Sequence, residues 1–431
     1  MMKKRITALA LALAMLLGSG AASADDGTGA AETPAAEAAS TETEGTSAEA
    51  EAPKPEPDAE GTLSFGNLGA RMKENYLPLL ALNESIIDIE SHDYEWRYEN
   101  LRTSLNYIVH SYEDTAKAAN NGVDVPGSGL MAWTDSNYVQ ALNAFDKLKD
   151  GTTVKDDQDL LWKYRNTQEL SVVAGETLYM QIKAMQAQDE EISRSLAKLD
   201  RVLQETELRR ELGQVSELSL TQLKNQRTQI ASGQQTLRMG IETMLLTLKN
   251  MVGAELDKPL SLGALPEVTA EQLAAMDLEA DLEKARAVSY ELYDAKKQVE
   301  DYRKGPYASE VYSGKSDKFF EVSQVKHALE AMKLRQQQTE QNYELNFRTL
   351  YAQVKDAAQV LDAKRVAVES QEMSYAAAAL KFEQGSISAN ALADAADELA
   401  AAKDAVANAE RDLFSKYRSY CWAVEYGILN G

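Results

Sequence analysis

Three histidines, one cysteine and a large excess of acids are the residues of this chain that could do chemistry. A zinc site needs three or four convergent His, Cys or carboxylate ligands, commonly at short helical spacing. His92, His110 and His327 fall on separate predicted helices, and the nearest approach to a ligand pair is His92 with Glu95 three residues on. That pair reads as part of a solvated polar face. Cys421 is the single cysteine, so no intramolecular disulfide can form; between Tyr420 and Trp422, near an apolar helix end, it reads as a buried structural thiol. There is no glycine-rich phosphate loop and no nucleophile elbow. The aromatic group Tyr94, Trp96, Tyr98, Tyr107 and Tyr112 reads as helix packing. The expectation is a chain without catalytic residues, metal or cofactor, whose work lies in its architecture.

The formal charge of −23 disfavours nucleic acid and anionic lipid as partners. Residues 1–24 read as a secretory signal peptide: Lys3, Lys4 and Arg5 precede an apolar stretch from Ile6 to Leu17, and Ala22-Ser23-Ala24 supplies the small residues of a cleavage site. Residues 25–62 hold eleven acids and one base, Lys54, with almost no large apolar side chain, and are expected to be a disordered spacer. As a random coil this spacer would reach about 35 Å. Helix formers dominate from Leu63 onward, and no later apolar run is long enough for a membrane helix.

The elements must therefore be read from periodicity. Thr177-Leu178-Tyr179-Met180-Gln181-Ile182-Lys183 recurs as Thr349-Leu350-Tyr351-Ala352-Gln353-Val354-Lys355, 172 residues later. In the same register, the block Leu208 to Ser216 pairs with Leu380 to Ser388. Two blocks without a gap between them indicate internal duplication. Inside the second copy Phe347, Val354, Leu361, Val368, Tyr375 and Phe382 follow at sevens; beyond Gly385, so do Leu392, Leu399, Val406, Leu413 and Tyr420. The first copy offers Ile182, Met185, Ile192, Leu196, Leu199 and Leu203, then Leu223, Ile230, Leu237, Met244 and Met251 beyond Gly213. A sustained seven-residue period calls for supercoiled helices. Gly213 and Gly385 sit where the chain must reverse, and Ser216 and Ser388 are placed to cap the returning helices. The prediction is an all-α chain of two long-hairpin repeats, 63–263 and 264–431, forming one coiled-coil body with little or no strand. An arm from Thr177 to Gly213 would run about 54 Å at 1.5 Å per residue, too thin to cover its own apolar seam.

These residues resemble the TolC-like outer-membrane efflux proteins. The resemblance rests on the duplication and on Phe382-Glu383-Gln384-Gly385-Ser386-Ile387-Ser388 followed by Leu392, Asp394 and Ala395. The first-copy counterpart is Glu211-Leu212-Gly213-Gln214-Val215-Ser216 followed by Leu220 and Leu223. Asp277 to Arg303 also resembles the helix that opens the family's second repeat. The resemblance implies a homotrimer with a helical tunnel, working in efflux or secretion across the cell envelope, with outer-membrane localisation. It implies that a periplasmic adaptor protein and an inner-membrane pump dock at the tips, through Gly213, Val215, Ser216, Gly385, Ile387 and Ser388. Asp394 would lie near the mouth of the tunnel.

One departure stands out. The family inserts a pair of membrane strands into each repeat, and each strand needs about 9–11 residues. Only thirteen residues lie between Arg303 and Asp317, Pro306 among them, which predicts a loop or short hairpin. In the first repeat, Asn120 to Asp159 is rich in Gly, Asp and Asn and contains a predicted short helix, Tyr138 to Leu148. Two readings follow: an efflux or secretion conduit, or an exported, non-conducting coiled-coil protein of the envelope.

Overall fold

The seven-residue seams fold into helices that alternate in direction. The computed structural model describes residues 58–59, 61–121, 136–305, 314 and 319–429. Residues 1–24, read above as a signal peptide, most of the segment 25–62, and most of the residues between Arg303 and Asp317, Pro306 included, lie outside the described residues. The described residues form two units, one from Pro53–Gln298 with Met332–Gly431, the other from Val299–Ala331.

Two short strands, β1 (Thr62–Leu63) and β2 (Ser261–Leu262), are the only ones among the described residues, and they pair in parallel. The helices are α1 (Phe65–Asn75), α2 (Leu77–Glu90), α3 (Tyr94–Asn120), α4 (Ser136–Lys149), α5 (Thr152–Glu211), α6 (Glu217–Met251), α7 (Ala270–Ala274), α8 (Leu278–Val288), α9 (Tyr290–Lys304), α10 (Phe319–Glu383) and α11 (Ala389–Tyr426). The architecture is all-α and duplicated: α5–α6 is one long hairpin and α10–α11 the other. Pro78 lies in the first turn of α2, where its missing N–H costs nothing. The last residues of the acidic segment belong to the fold: Asp58 Oδ1 accepts from the backbone N–H of Ser64 and from Asn67, and Thr62 lies in β1.

Ion pairs fix the order of the four long helices. Arg238 pairs with Asp189 and Arg227 with Asp200, joining α6 to α5. Arg194 pairs with Asp404 and Arg201 with Asp397, joining α5 to α11. Arg365 with Glu410 and Lys403 with Glu372 join α11 to α10. Numbers rise on one helix as they fall on its neighbour, so the helices lie side by side, antiparallel, as α6–α5–α11–α10.

Each repeat has its own core at the end away from the tips. The first gathers Leu63, Phe65, Met72, Tyr179, Ile182 and Leu248, and takes Phe414 and Trp422 from α11. The second gathers Leu282, Tyr343, Phe347, Val354, Leu413 and Tyr420. Burial fades along the seam of α10, from 0% exposure at Phe347 and Val354 to 40% at Phe382, because the distal arms have fewer neighbours to pack on.

The helix expected across Asp277 to Arg303 is divided. It breaks at Ser289 into α8 and α9, although neither proline nor glycine marks the place. The cause is tertiary. Gly427 packs so closely on Ser289 that a Cβ there would lie 2.4 Å from the Ser289 Cα. In the smaller unit, Val325 is fully buried against Tyr302 and Val322.

Candidate functional site

The two tips share the same backbone turn and cap bonds. Gly213 and Gly385 both have φ of +70°, the left-handed conformation that ends a helix. Gly213 N donates to Arg210 O and Gly385 N to Phe382 O, each at 2.9 Å; Gln214 N donates to Arg209 O at 2.8 Å and Ser386 N to Lys381 O at 2.9 Å. This double bond pattern satisfies the last carbonyls of α5 and α10. The hydroxyls of Ser216 and Ser388 then accept from Ser219 N and Ala391 N, both at 3.2 Å, and cap α6 and α11. Val215 and Ile387 are half-buried beneath the turns, while both glycines and both serines are exposed.

Around these turns lie apolar side chains that the glycine motif does not include. Leu208, Leu212 and Leu218 are exposed at the first tip, and Leu380 and Phe382 at the second. Leu208 and Leu380 occupy the same place in the 172-residue register, so the repeat itself carries that signal.

The two outer helices of the row carry exposed apolar side chains in heptad register, interrupted by Gln359 on α10 and by Asn225 and Ser232 on α6. On α10, Leu345, Val366, Met373 and Leu380 stand at multiples of seven and are 59–68% exposed. On α6, Leu218, Met239 and Leu246 do the same at 47–68%. Neither stripe belongs to the seams read from the sequence. Each is a second heptad set, displaced from the first, and on α10 it lies two residues ahead of the Phe347 series.

Asp394 is exposed near the tips and lies 3.6 Å from Lys198 of α5. Two further pairs, Arg194–Asp404 and Arg201–Asp397, seven residues apart on each helix, join the same two helices.

The sequence-singled histidines do not come together. His92 is not on a helix; it lies in the short connection between α2 and α3. Its Nδ1 is 2.9 Å from Asp157 of α5, which also accepts from the Tyr94 hydroxyl at 2.9 Å. The carboxylate beside His92 is thus Asp157, 65 residues away, and not Glu95. His110 Nδ1 meets its own helix at Asn106 O. Cys421 is half-buried on α11, and burial pushes its thiol up. Among the described residues no group of three or more His, Cys, Asp or Glu could hold a metal ion, and no helix is long and apolar enough to cross a membrane.

No family model matches the chain, and no curated protein matches it. Among solved structures, the chain is similar to the outer membrane protein VceC from Vibrio cholerae, at 14% identity and TM-score 0.39, covering 62% of this chain and 74% of that one. It is similar to the outer-membrane channel OprN at 15% identity and TM-score 0.44, covering 84% and 93%. A membrane protein from Pseudomonas aeruginosa is similar at 11% identity and TM-score 0.47, covering 82% and 90%. At these values the likenesses carry neither the activity nor the partners of those proteins across.

Proposed function

We propose that this chain is the helical-duct component of an envelope efflux or secretion assembly, built as a closed ring of copies. The observation that carries the reading is the row α6–α5–α11–α10 with an exposed apolar stripe on each outer helix. A stripe of this kind on a soluble protein marks an interaction surface. One copy's α6 against the next copy's α10 would continue the antiparallel alternation and cover both stripes. Each Leu, Val or Met so covered would contribute about 1–2 kcal/mol. Such a contact is head-to-tail, so it closes only as a ring. The resemblance to the TolC-like family supports three copies and a role in transport across the envelope.

In this reading the tips are the docking surface for a periplasmic adaptor protein, which in turn meets an inner-membrane pump. Gly213, Val215, Ser216, Gly385, Ile387 and Ser388 shape the turns, and Leu208, Leu212 and Phe382, which lie outside the two stripes, supply the apolar contact. Asp394 stands near the mouth of the duct. Light scattering on the purified chain tests the ring: three times the monomer mass is expected, and a monomer at micromolar concentration would contradict it.

One observation favours the second reading, an exported non-conducting coiled-coil protein of the envelope. Between Asn120 and Asp159, where the resemblance calls for the first pair of membrane strands, the described residues form the helix α4 and the start of α5. Extraction separates the two: a protein released without detergent fits the second reading, and one that requires detergent fits an inserted duct.

A further inference from the structure

The segment joining the two repeats lines, at Ala264–Val268, a solvent-open cavity of about 330 Å³ together with residues of α5, α10 and α11. Leu265, Val268, Leu361 and Leu413 give the cavity an apolar floor. Three cations, Lys183, Arg365 and Arg411, reach it, against two acids, Glu267 and Glu410. The charges are not all paired off. Arg365 meets Glu410 at 3.1 Å. Among the described residues Arg411 meets only the neutral side-chain oxygen of Asn408. Lys183 is half-buried and has no hydrogen-bond or ion-pair partner among the described residues. A cationic surplus over an apolar floor is unusual in a chain of formal charge −23.

The duplication supplies a control within the molecule. In the 172-residue register Lys183 corresponds to Lys355. Lys355 is committed: its ammonium donates to Leu273 O at 2.5 Å and lies over the Tyr351 ring, 5.4 Å from its centre. The same residue type at the same place in the first repeat is left facing a cavity. Lys183 is half-buried at the cavity and makes no ion pair among the described residues, so an anionic group entering the cavity would gain a charge-assisted contact there.

We propose that this cavity binds a small amphiphile bearing one anionic headgroup, a carboxylate or sulfonate, with the headgroup between Lys183 and Arg411 and the apolar body on Leu265, Leu361 and Leu413. The volume sits at the lower end of the range for small-molecule sites, which run from about 300 to 1,000 Å³. All of the lining residues belong to one chain, so the site does not depend on ring closure.

The test is calorimetric titration of the full chain with octanoate, with octan-1-ol as the uncharged match. One equivalent of octanoate is expected to bind, at least about ten-fold more tightly than octan-1-ol, since charge-assisted hydrogen bonds contribute most of the difference. Lys183→Gln should weaken octanoate about ten-fold and leave octan-1-ol unchanged, because only the headgroup contact is lost. Lys364→Gln, on the exposed face of α10, should alter neither. Far-UV circular dichroism identical to the parent shows that each variant is folded. No octanoate binding up to millimolar concentration, equal affinity for the alcohol, several equivalents bound, or an unchanged affinity in Lys183→Gln would each overturn the proposal.

Discussion

The Tyr343 hydroxyl lies 3.3 Å from the carbonyl oxygen of Gly427, 84 residues ahead, and shares its hydrogen between that oxygen and Ala285 O at 3.1 Å. Tyr179 makes the matching clasp in the first repeat, to Gly263 O at 2.9 Å over the same 84-residue separation, and to Leu63 O at 3.0 Å. Burial pushes both phenols up to about 12, so each remains a donor at any physiological pH. Tyr343→Phe would leave two buried carbonyls unpaired at the base of the second hairpin. The expected cost is about 1–3 kcal/mol, measured by urea unfolding, with a smaller loss for Tyr179→Phe, since Leu63 O keeps its bond from Gly263 N.

A buried ion pair joins the two hairpins. Arg418 of α11 donates to both carboxylate oxygens of Glu176 on α5, at 2.7 and 3.0 Å, and Trp422 Nε1 donates to Oε2 at 2.9 Å. Burial works against the charge on Arg418, and Glu176 more than restores it. Arg418→Met should therefore destabilise by about 3–5 kcal/mol, since it strands a buried carboxylate. Adding Glu176→Met should recover part of that loss in the same unfolding assay. A double variant less stable than the single one would show the charge on Glu176 to be satisfied elsewhere.

Asp281 sets an acid limit. Burial alone would raise its pKa, but hydrogen bonds from Tyr420 and Lys284 outweigh burial and hold it below 3.8. A depressed carboxylate contributes stability above its unfolded value of 3.8, and that stability is lost as pH falls through the lower folded value. Melting temperature followed downward from pH 4 should fall more steeply for the parent than for Asp281→Asn. Parallel profiles would remove Asp281 from the acid transition.

At the tips, nothing lies within 4 Å of a Cβ added to Gly213 or Gly385, so substitution there meets strain and no clash. Gly385→Val should cost about 1–2 kcal/mol or more from the left-handed backbone alone, and Gly385→Asn less. Because the turn is exposed, helicity should stay unchanged while capture of an adaptor protein weakens. Unchanged capture by both this variant and Gly213→Val would remove the docking role.

Much of this fold was legible in the sequence. The 172-residue register, the seams and the tip glycines and serines all announce themselves through spacing. The outer stripes were harder to see because a heptad scan settles on one seam per helix; Leu345, Val366, Met373 and Leu380 form a second seam beside the Phe347 series. The α5–α11 pairing was also present as Arg194 and Arg201 against Asp397 and Asp404, both at sevens, but acids and bases occur throughout these helices. The break at Ser289 and the His92–Asp157 contact carry no local signal. The first is imposed by Gly427 and the second joins residues 65 apart, so both follow from tertiary packing.

The central claim is that α6 of one copy covers α10 of the next. Met239 and Val366 each adjoin a ladder residue, Arg238 and Arg365, and the ladders put the two at about the same height on opposite edges of the row. The direct measurement is cysteine crosslinking of Met239→Cys/Val366→Cys in a Cys421→Ser background, read by non-reducing gel electrophoresis. A closed ring predicts a covalent series that ends at three chains, abolished by reduction and absent when either cysteine is present alone. A chain that stays monomeric under oxidation, or a series that continues past three, would contradict it.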